Sequence, residues 1–307
     1  MGIYLKLLLT ALFWAGTFIA GRILGRQDSP ADPSSAAFLR FAFASAAMIP
    51  ILMMSEKRLP KLGIRQWFAV FLLGFFGVFL YHIMFLEGLK TVDAASASVL
   101  IATSPVFISI LSAYFFKEIL TPIRLTGIIL SVFGAIYVAL RGDFAFFFKH
   151  GIGVGQTFII GCVVCWVFYS ILGKVLLAGL SPIVTVTYSS VIGALLLFFP
   201  ALYNGIFGKL ADYAAKDWYS ILYLAFFGTV AGYIWFCEGL LVIGPTRTAL
   251  FINFIPIFTV VLSFLMLGEP VTKSLVMGTL LVVVGVYLTN KTKNNKNPEE
   301  LSKFLKG

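Results

Sequence analysis

Long stretches of this chain are continuously apolar, and polar residues are confined to short intervals between them. Ten runs approach one common length: roughly 5–24, 35–54, 67–87, 94–116, 122–140, 154–176, 182–202, 218–238, 246–267 and 271–290. A helix rising about 1.5 Å per residue needs about 20 residues to cross about 30 Å of hydrocarbon. Barrel strands would alternate apolar and polar side chains over about ten residues. The pattern therefore predicts an all-α, polytopic membrane protein of ten transmembrane helices.

The runs also repeat. With a shift of 151, Trp67 meets Trp218, Gly77 meets Gly228, Phe85 meets Phe236, Pro105 meets Pro256, Phe107 meets Phe258 and Glu118 meets Glu269. The same shift lays "FLEGLK" over "FCEGLL", so Glu87 falls on Glu238. Nearer the start the shift becomes 152 and pairs Trp14 with Trp166 and Gly21 with Gly173. Each half holds five runs, which divides the chain into units at 1–145 and 151–290 with a tail at 291–307. Five is odd, so the second unit enters the membrane from the opposite side. Inverted repeats give two near-equivalent packings, one open to each face, with a substrate site at their interface.

Composition sharpens this picture. The chain is 60% hydrophobic and 12% charged, where a soluble domain carries about 25% charged residues. The net charge of +10 does not indicate nucleic acid, because the cations lie in the gaps between apolar runs. One set of gaps holds 14 Lys and Arg and the other 8, which places both termini in the cytoplasm of a bacterial-type inner membrane. The basic tail reads as solvated, with attraction to anionic membrane lipid as the alternative. The first run reads as a retained helix rather than a signal peptide.

Catalytic and cofactor signatures are missing. "CVVC" at 162–165 lies inside an apolar run without partner ligands, and three cysteines build no disulfide framework. There is no G-x-x-x-x-G-K-[ST], H-E-x-x-H or G-x-S-x-G, and only two histidines. The sequence thus reads as neither an enzyme nor an ATP-driven pump, with no metal and no cofactor.

The segments "LFWAGTFIAGRI", "FLRFAFA", "ASASVLIATSPVF…KEILTPIRLTGIILSVFGAIYV" and "TALFINFIPIFTVVLSFLMLGEPVTKSLVMGTLLVVVGVYL" resemble two copies of the EamA domain of the drug/metabolite transporter superfamily. The resemblance covers about residues 5–290. It implies a ten-helix carrier with an inverted five-plus-five repeat that exports or exchanges amino acids and other small polar metabolites. It also implies a central cavity lined by the first, third and fourth helices of each repeat. A passive facilitator or channel is the rival reading.

Within that frame, candidate substrate-binding residues are Trp14, Phe18, Tyr81, His82, Phe85, Thr103, Ser104, Trp166, Tyr169, Tyr233, Phe236 and Asn253. They are the aromatic and polar side chains deep in the central helices. Each has a bland alternative: packing for the rings, interhelical hydrogen bonding for His82 and Asn253. Candidate gating or coupling residues are Arg40, Glu87, Glu238, Pro105 and Pro256. Arg40 is costly inside a membrane unless it snorkels, pairs or faces water, and the matching "VTYSSVIG" has no cation. Glu87 and Glu238 read as helix-end partners of Lys90 and Arg247, or as proton-coupling groups at the two mouths. Glu118 and Glu269 read as capping residues in interhelical turns. Pro105 and Pro256 read as mid-helix kinks that shape the cavity. Gly127, Ser131, Gly134, Gly278 and Gly285 give helices five and ten a small-residue face. Its partner is either within the monomer or in a homodimer.

Overall fold

A computed structural model describes residues 1–26, 28–56, 61–116, 121–143, 152–176 and 180–290. The tail at 291–307, Glu118 and His150 lie outside the described residues. The described chain is about 85% helical, with no strand among the described residues.

Among the described residues, ten helices are long and apolar enough to cross a membrane. They are α1 (Ile3–Leu24), α2 (Pro33–Glu56), α3 (Ile64–Leu89), α4 (Ala94–Tyr114), α5 (Pro122–Ala139), α6 (Val154–Gly173), α7 (Pro182–Tyr203), α8 (Ala215–Val242), α9 (Arg247–Leu267) and α10 (Lys273–Asn290). Their outward faces carry large bare apolar side chains such as Ile129, Leu195, Phe199, Phe264 and Met277. Such a surface is stable only against lipid. The protein is a multi-pass membrane protein.

Local chemistry sets the helix starts. Asp32 Oδ1 accepts from the amides of Ser34 and Ser35, both at 3.1 Å, in front of Pro33. Thr121 caps α5 ahead of Pro122, and Thr272 caps α10 through the Leu275 amide. Proline at the first helical position loses no bond there, because its N–H would have no partner anyway.

Contacts between the helices fix their directions. The Lys6 ammonium of α1 meets Glu238 at the end of α8, which defines what we term the N face. On the far face, Arg22 at the end of α1 donates to the Leu89 and Lys90 carbonyls at the end of α3. Gly155, at the start of α6, packs on Gly88, Thr91 and Val92. So α6 starts at the far face, whereas α1 starts at the N face.

Packing follows the repeat. Tyr169 lies over Gly77 as Thr17 lies over Gly228, and Ile159 meets Gly88 as Leu7 meets Gly239. Helices α5 and α10 pack against each other inside the chain, which resolves where their small-residue faces go. A Cβ at Gly127 would stand 2.6 Å from the Gly285 carbonyl oxygen, and one at Gly285 would stand 2.6 Å from that of Gly127. Only glycine permits two backbones to approach this closely.

Candidate functional site

Helices α3 and α8 each carry a π-helical segment at matching positions, Gly74–Leu80 and Leu224–Ala231. A π segment rotates the side chains that follow it and displaces backbone acceptors, and such bulges often mark functional sites. Tyr81 and His82 follow the first segment; Thr229 lies in the second, and Tyr233 follows it. The Gly228 carbonyl accepts from the Trp14 indole Nε1 at 3.0 Å. The Thr229 hydroxyl donates to the Leu224 carbonyl at 3.0 Å, five residues back.

Arg40 of α2 points into this region. It is 5% exposed, so it does not snorkel to a face. Its Nε donates to Thr229 Oγ1 at 3.0 Å, and its Nη1 lies 3.3 Å from His82 Nδ1. A guanidinium can only donate, so His82 Nδ1 accepts and the ring proton sits on Nε2. The guanidinium also stands 5.1 Å from the centre of the Phe41 ring. No carboxylate among the described residues pairs with it. Burying such a cation costs several kcal/mol, against which the hydroxyl, imidazole and aromatic contacts act.

Aromatic rings surround the cation. His82 packs on Phe41, Tyr81 and Phe85 with centroids 4.6, 4.9 and 6.3 Å away. Phe18 meets Phe85 edge-on at 5.2 Å, and Tyr81 approaches Trp166 at 6.0 Å. Trp166 stacks on Tyr169 at 5.2 Å. Trp14 contacts Tyr233 at 5.4 Å and Phe236 at 5.2 Å. The structure thus joins Trp14, Phe18, Tyr81, His82, Phe85, Trp166, Tyr169, Tyr233 and Phe236 with Arg40 in one internal cluster. It adds Thr17, Phe41, Gly228 and Thr229, which the sequence reading did not single out. A polar residue inside "FFGTVAG", beside a repeat-matched glycine, was the available signal for Thr229.

Other candidates lie elsewhere. Thr103 and Ser104 donate to the Leu100 and Ile101 carbonyls, both at 2.6 Å, where α4 breaks. Pro105 follows this break as the second residue of the Ser104–Phe116 segment. Pro256 is likewise the third residue of the Phe254–Leu262 segment, after a break at Asn253. A proline lacks the N–H that would bond the carbonyl four residues back, so both breaks fall where Pro105 and Pro256 interrupt their spans. Asn253 is half-buried at that break. Glu87 pairs with Lys90 at 2.9 Å on the far face. Glu238 does not pair with Arg247, as the sequence suggested. Arg247 is exposed, and Lys6 reaches Glu238 at 2.6 Å from the start of α1.

Each face is closed by polar ties between the halves. At the far face, the left-handed Gly268 (φ 67°) ends α9 and turns Glu269 onto the start of α4. Glu269 accepts there from the Ala94 and Ala95 amides at 3.1 and 3.4 Å, and Arg22 Nε lies 3.5 Å away. Asp93 neighbours Arg22 and Arg141 at 3.8 and 3.5 Å. A pocket of about 60 Å³ opens between Asp93, Arg141, Glu269 and Ser274. Asp28 pairs with Lys216, and the Ser29 hydroxyl donates to Asp217 at 2.7 Å. At the N face, Lys6–Glu238 is joined by the Ser181 hydroxyl donating to Glu56 at 2.8 Å. Leu7, Thr10, Trp14, Phe236 and Phe251 border a narrow gap between helices that has no room for a water.

Among the described residues, ten membrane-crossing helices surround one buried, cation-bearing aromatic cluster, with ion pairs at both faces. The chain belongs to the EamA-like transporter family, which matches it twice, over residues 1–140 and 153–291, and so to the drug/metabolite transporter superfamily. It is 30% identical over 286 residues to the uncharacterized transporter YyaM of Bacillus subtilis (strain 168), spanning 93% of this chain and 92% of that protein. An uncharacterized transporter of Archaeoglobus fulgidus is 30% identical over 289 residues, spanning 93% and 97%. The chloroplastic WAT1-related protein At3g02690 of Arabidopsis thaliana is 25% identical over 277 residues, spanning 86% of this chain and 64% of that one. A solved crystal structure shares the fold with a TM-score of 0.64 at 18% identity, covering 94% of this chain and 96% of that one.

Proposed function

We propose that the protein is a secondary active exporter of small metabolites, working by alternating access. The observation that carries this reading is the buried Arg40–His82–Thr229 group, contributed by α2 and α3 of one half and α8 of the other. Its elements move apart if the halves 1–145 and 151–290 rock about their shared interface, so binding and rocking are coupled through the same residues. The ion pairs at the two faces then serve as gates. Opening the N face breaks Lys6–Glu238 and parts the helices that flank Trp14; opening the far face releases Glu269 from Arg22 and α4.

The excess of Lys and Arg on the N-face side supports a cytoplasmic N face, with the membrane potential or a proton gradient as the driving force. A proton added at His82 Nδ1 would break its bond to Arg40 and place two cations together. That argues against His82 as the proton carrier and favours the potential. The test is counterflow by the purified chain in proteoliposomes. Saturable exchange that is lost in Trp14→Ala supports a carrier, whereas linear, non-saturating flux indicates a channel.

A further inference from the structure

Resting on the carrier reading of this site, we infer that the transported solute is an organic anion: a carboxylate bearing an apolar or aromatic body, without a compensating ammonium group. The inference comes from charge. Arg40 places a fixed cation in the core, with Nε and Nη1 committed to Thr229 and His82. Its Nη2 edge faces Gly228 of α8, where a Cβ would stand 3.6 Å from it. With Nε and Nη1 each held, the Nη2 N–H groups are the donors left for a carboxylate oxygen, and the fixed positive charge adds to that attraction.

The carboxylates that could receive an ammonium are engaged elsewhere. Glu238 is held by Lys6, Glu87 by Lys90, and Glu269 by Arg22 and two amides. Asp217 accepts from Ser29 and from the Ala214 amide. All of these lie at the faces. The cluster around Arg40 therefore carries a net positive charge among the described residues, and what surrounds it is aromatic. A carboxylate neutralises that charge; a zwitterion brings a second cation into the same low-dielectric space; an organic amine meets only repulsion.

Direction follows from the same charge. An anion leaving an inside-negative compartment moves down the electrical gradient, and 100 mV sustains a concentration ratio of roughly 50-fold. Efflux of an anion then needs no coupling ion.

The experiment uses the full chain in proteoliposomes and three probes that share one phenyl body: hydrocinnamate, L-phenylalanine and phenethylamine. Counterflow of each is measured at mildly alkaline pH against protein-free vesicles, with a potassium diffusion potential imposed in either direction. Hydrocinnamate is expected to exchange saturably, roughly tenfold or more faster than the other two, and its efflux to rise when the lumen is negative. Arg40→Gln is expected to lower that exchange roughly 10- to 100-fold and remove the preference among the three probes. Arg40→Lys keeps the charge without the fork, and is expected to keep the preference at a reduced rate. Thermal unfolding of each variant separates loss of recognition from loss of fold. Saturable exchange of phenylalanine or phenethylamine at an equal or higher rate overturns the inference while leaving the carrier reading standing. So does an unchanged preference in Arg40→Gln, or absence of exchange with all three probes. Non-saturating flux of all three overturns the carrier reading itself.

Discussion

Tyr169 and Ile159 of the second half lean over Gly77 and Gly88 of the first; Thr17 and Leu7 of the first half lean over Gly228 and Gly239 of the second. The backbones of the two halves approach each other through the same glycines. Their chemistry does not match. The first half supplies Arg40 and His82, while the second supplies Thr229 and Tyr233 to the same cluster. The faces differ as well. Glu269, Arg22, Asp93, Asp217 and Lys216 tie the far face together, whereas the described ties of the N face are Lys6–Glu238 and Ser181–Glu56. Symmetric packing lets one chain adopt two related shapes. On the proposed mechanism, asymmetric chemistry decides what it carries and which shape it rests in.

The largest expected effect sets His82 against its repeat mate Tyr233. His82→Phe keeps the ring but removes the acceptor from a buried guanidinium, a loss of about 1.5–3 kcal/mol, or roughly 10- to 100-fold in counterflow rate. Tyr233→Phe is expected to change that rate by less than about fivefold. Equal losses would erase the distinction between the halves. Packing should show the opposite pattern. Gly77→Leu and Gly228→Leu each force a side chain into a neighbouring helix and are expected to destabilise by about 1–3 kcal/mol, with similar falls in unfolding temperature in detergent. A fall in only one would mean that the packing symmetry is superficial.

The faces offer a smaller contrast. Glu269→Gln removes the charge from a largely buried network of two amides and Arg22, worth about 1–2 kcal/mol. Lys6→Ala loosens a more exposed pair, worth about 0.2–1 kcal/mol after screening by solvent. Labelling of engineered cysteines in a background lacking Cys162, Cys165 and Cys237 should therefore rise more at the far face of the first variant than at the N face of the second.

The smallest effect is one of pH. Burial of the Asp32 carboxyl pushes its pKa up, but hydrogen bonds from Ser34, Ser35 and Asn204 outweigh that and leave it below the ordinary value. The folded state is then stabilised above about pH 4, and this contribution is lost as the pH falls through the depressed value. The matching position at the start of α7 is Ser181, which does not titrate. Asp32→Asn is expected to flatten the acid limb of the unfolding temperature, and Ser181→Ala to leave its shape unchanged.

Much of the frame could be read from the sequence because it is written in features with fixed spacing. Apolar runs report bilayer thickness, and the Trp–Gly–Glu–Pro register reports duplication. The aromatic and histidine members of the cluster were legible as polar or bulky residues on central helices. What escaped were pairings that depend on how helices rotate. The π segments at Gly74–Leu80 and Leu224–Ala231 turn Thr229 toward Arg40, and no local pattern in "FFGTVAG" announces a π turn. Helix-end charges were also ambiguous. Glu238 has Arg247 near it in sequence, but Lys6, 232 residues away, near it in space. The breaks at residues 102–103 and 253 were legible, because Pro105 and Pro256 remove the N–H donors that would bond there.

Alternation about one site is the claim on which the rest depends. It can be tested with two spin-label pairs in a cysteine-free chain, one at Arg26 and Val271 on the far face and one at Gly2 and Leu241 on the N face. Introducing Glu269→Gln weakens the far gate without touching the N gate. Alternation predicts that the far-face distance lengthens while the N face, already shut by Lys6–Glu238, keeps its short distance. If both distances lengthen together, the two faces open at once and the protein is not an alternating-access carrier.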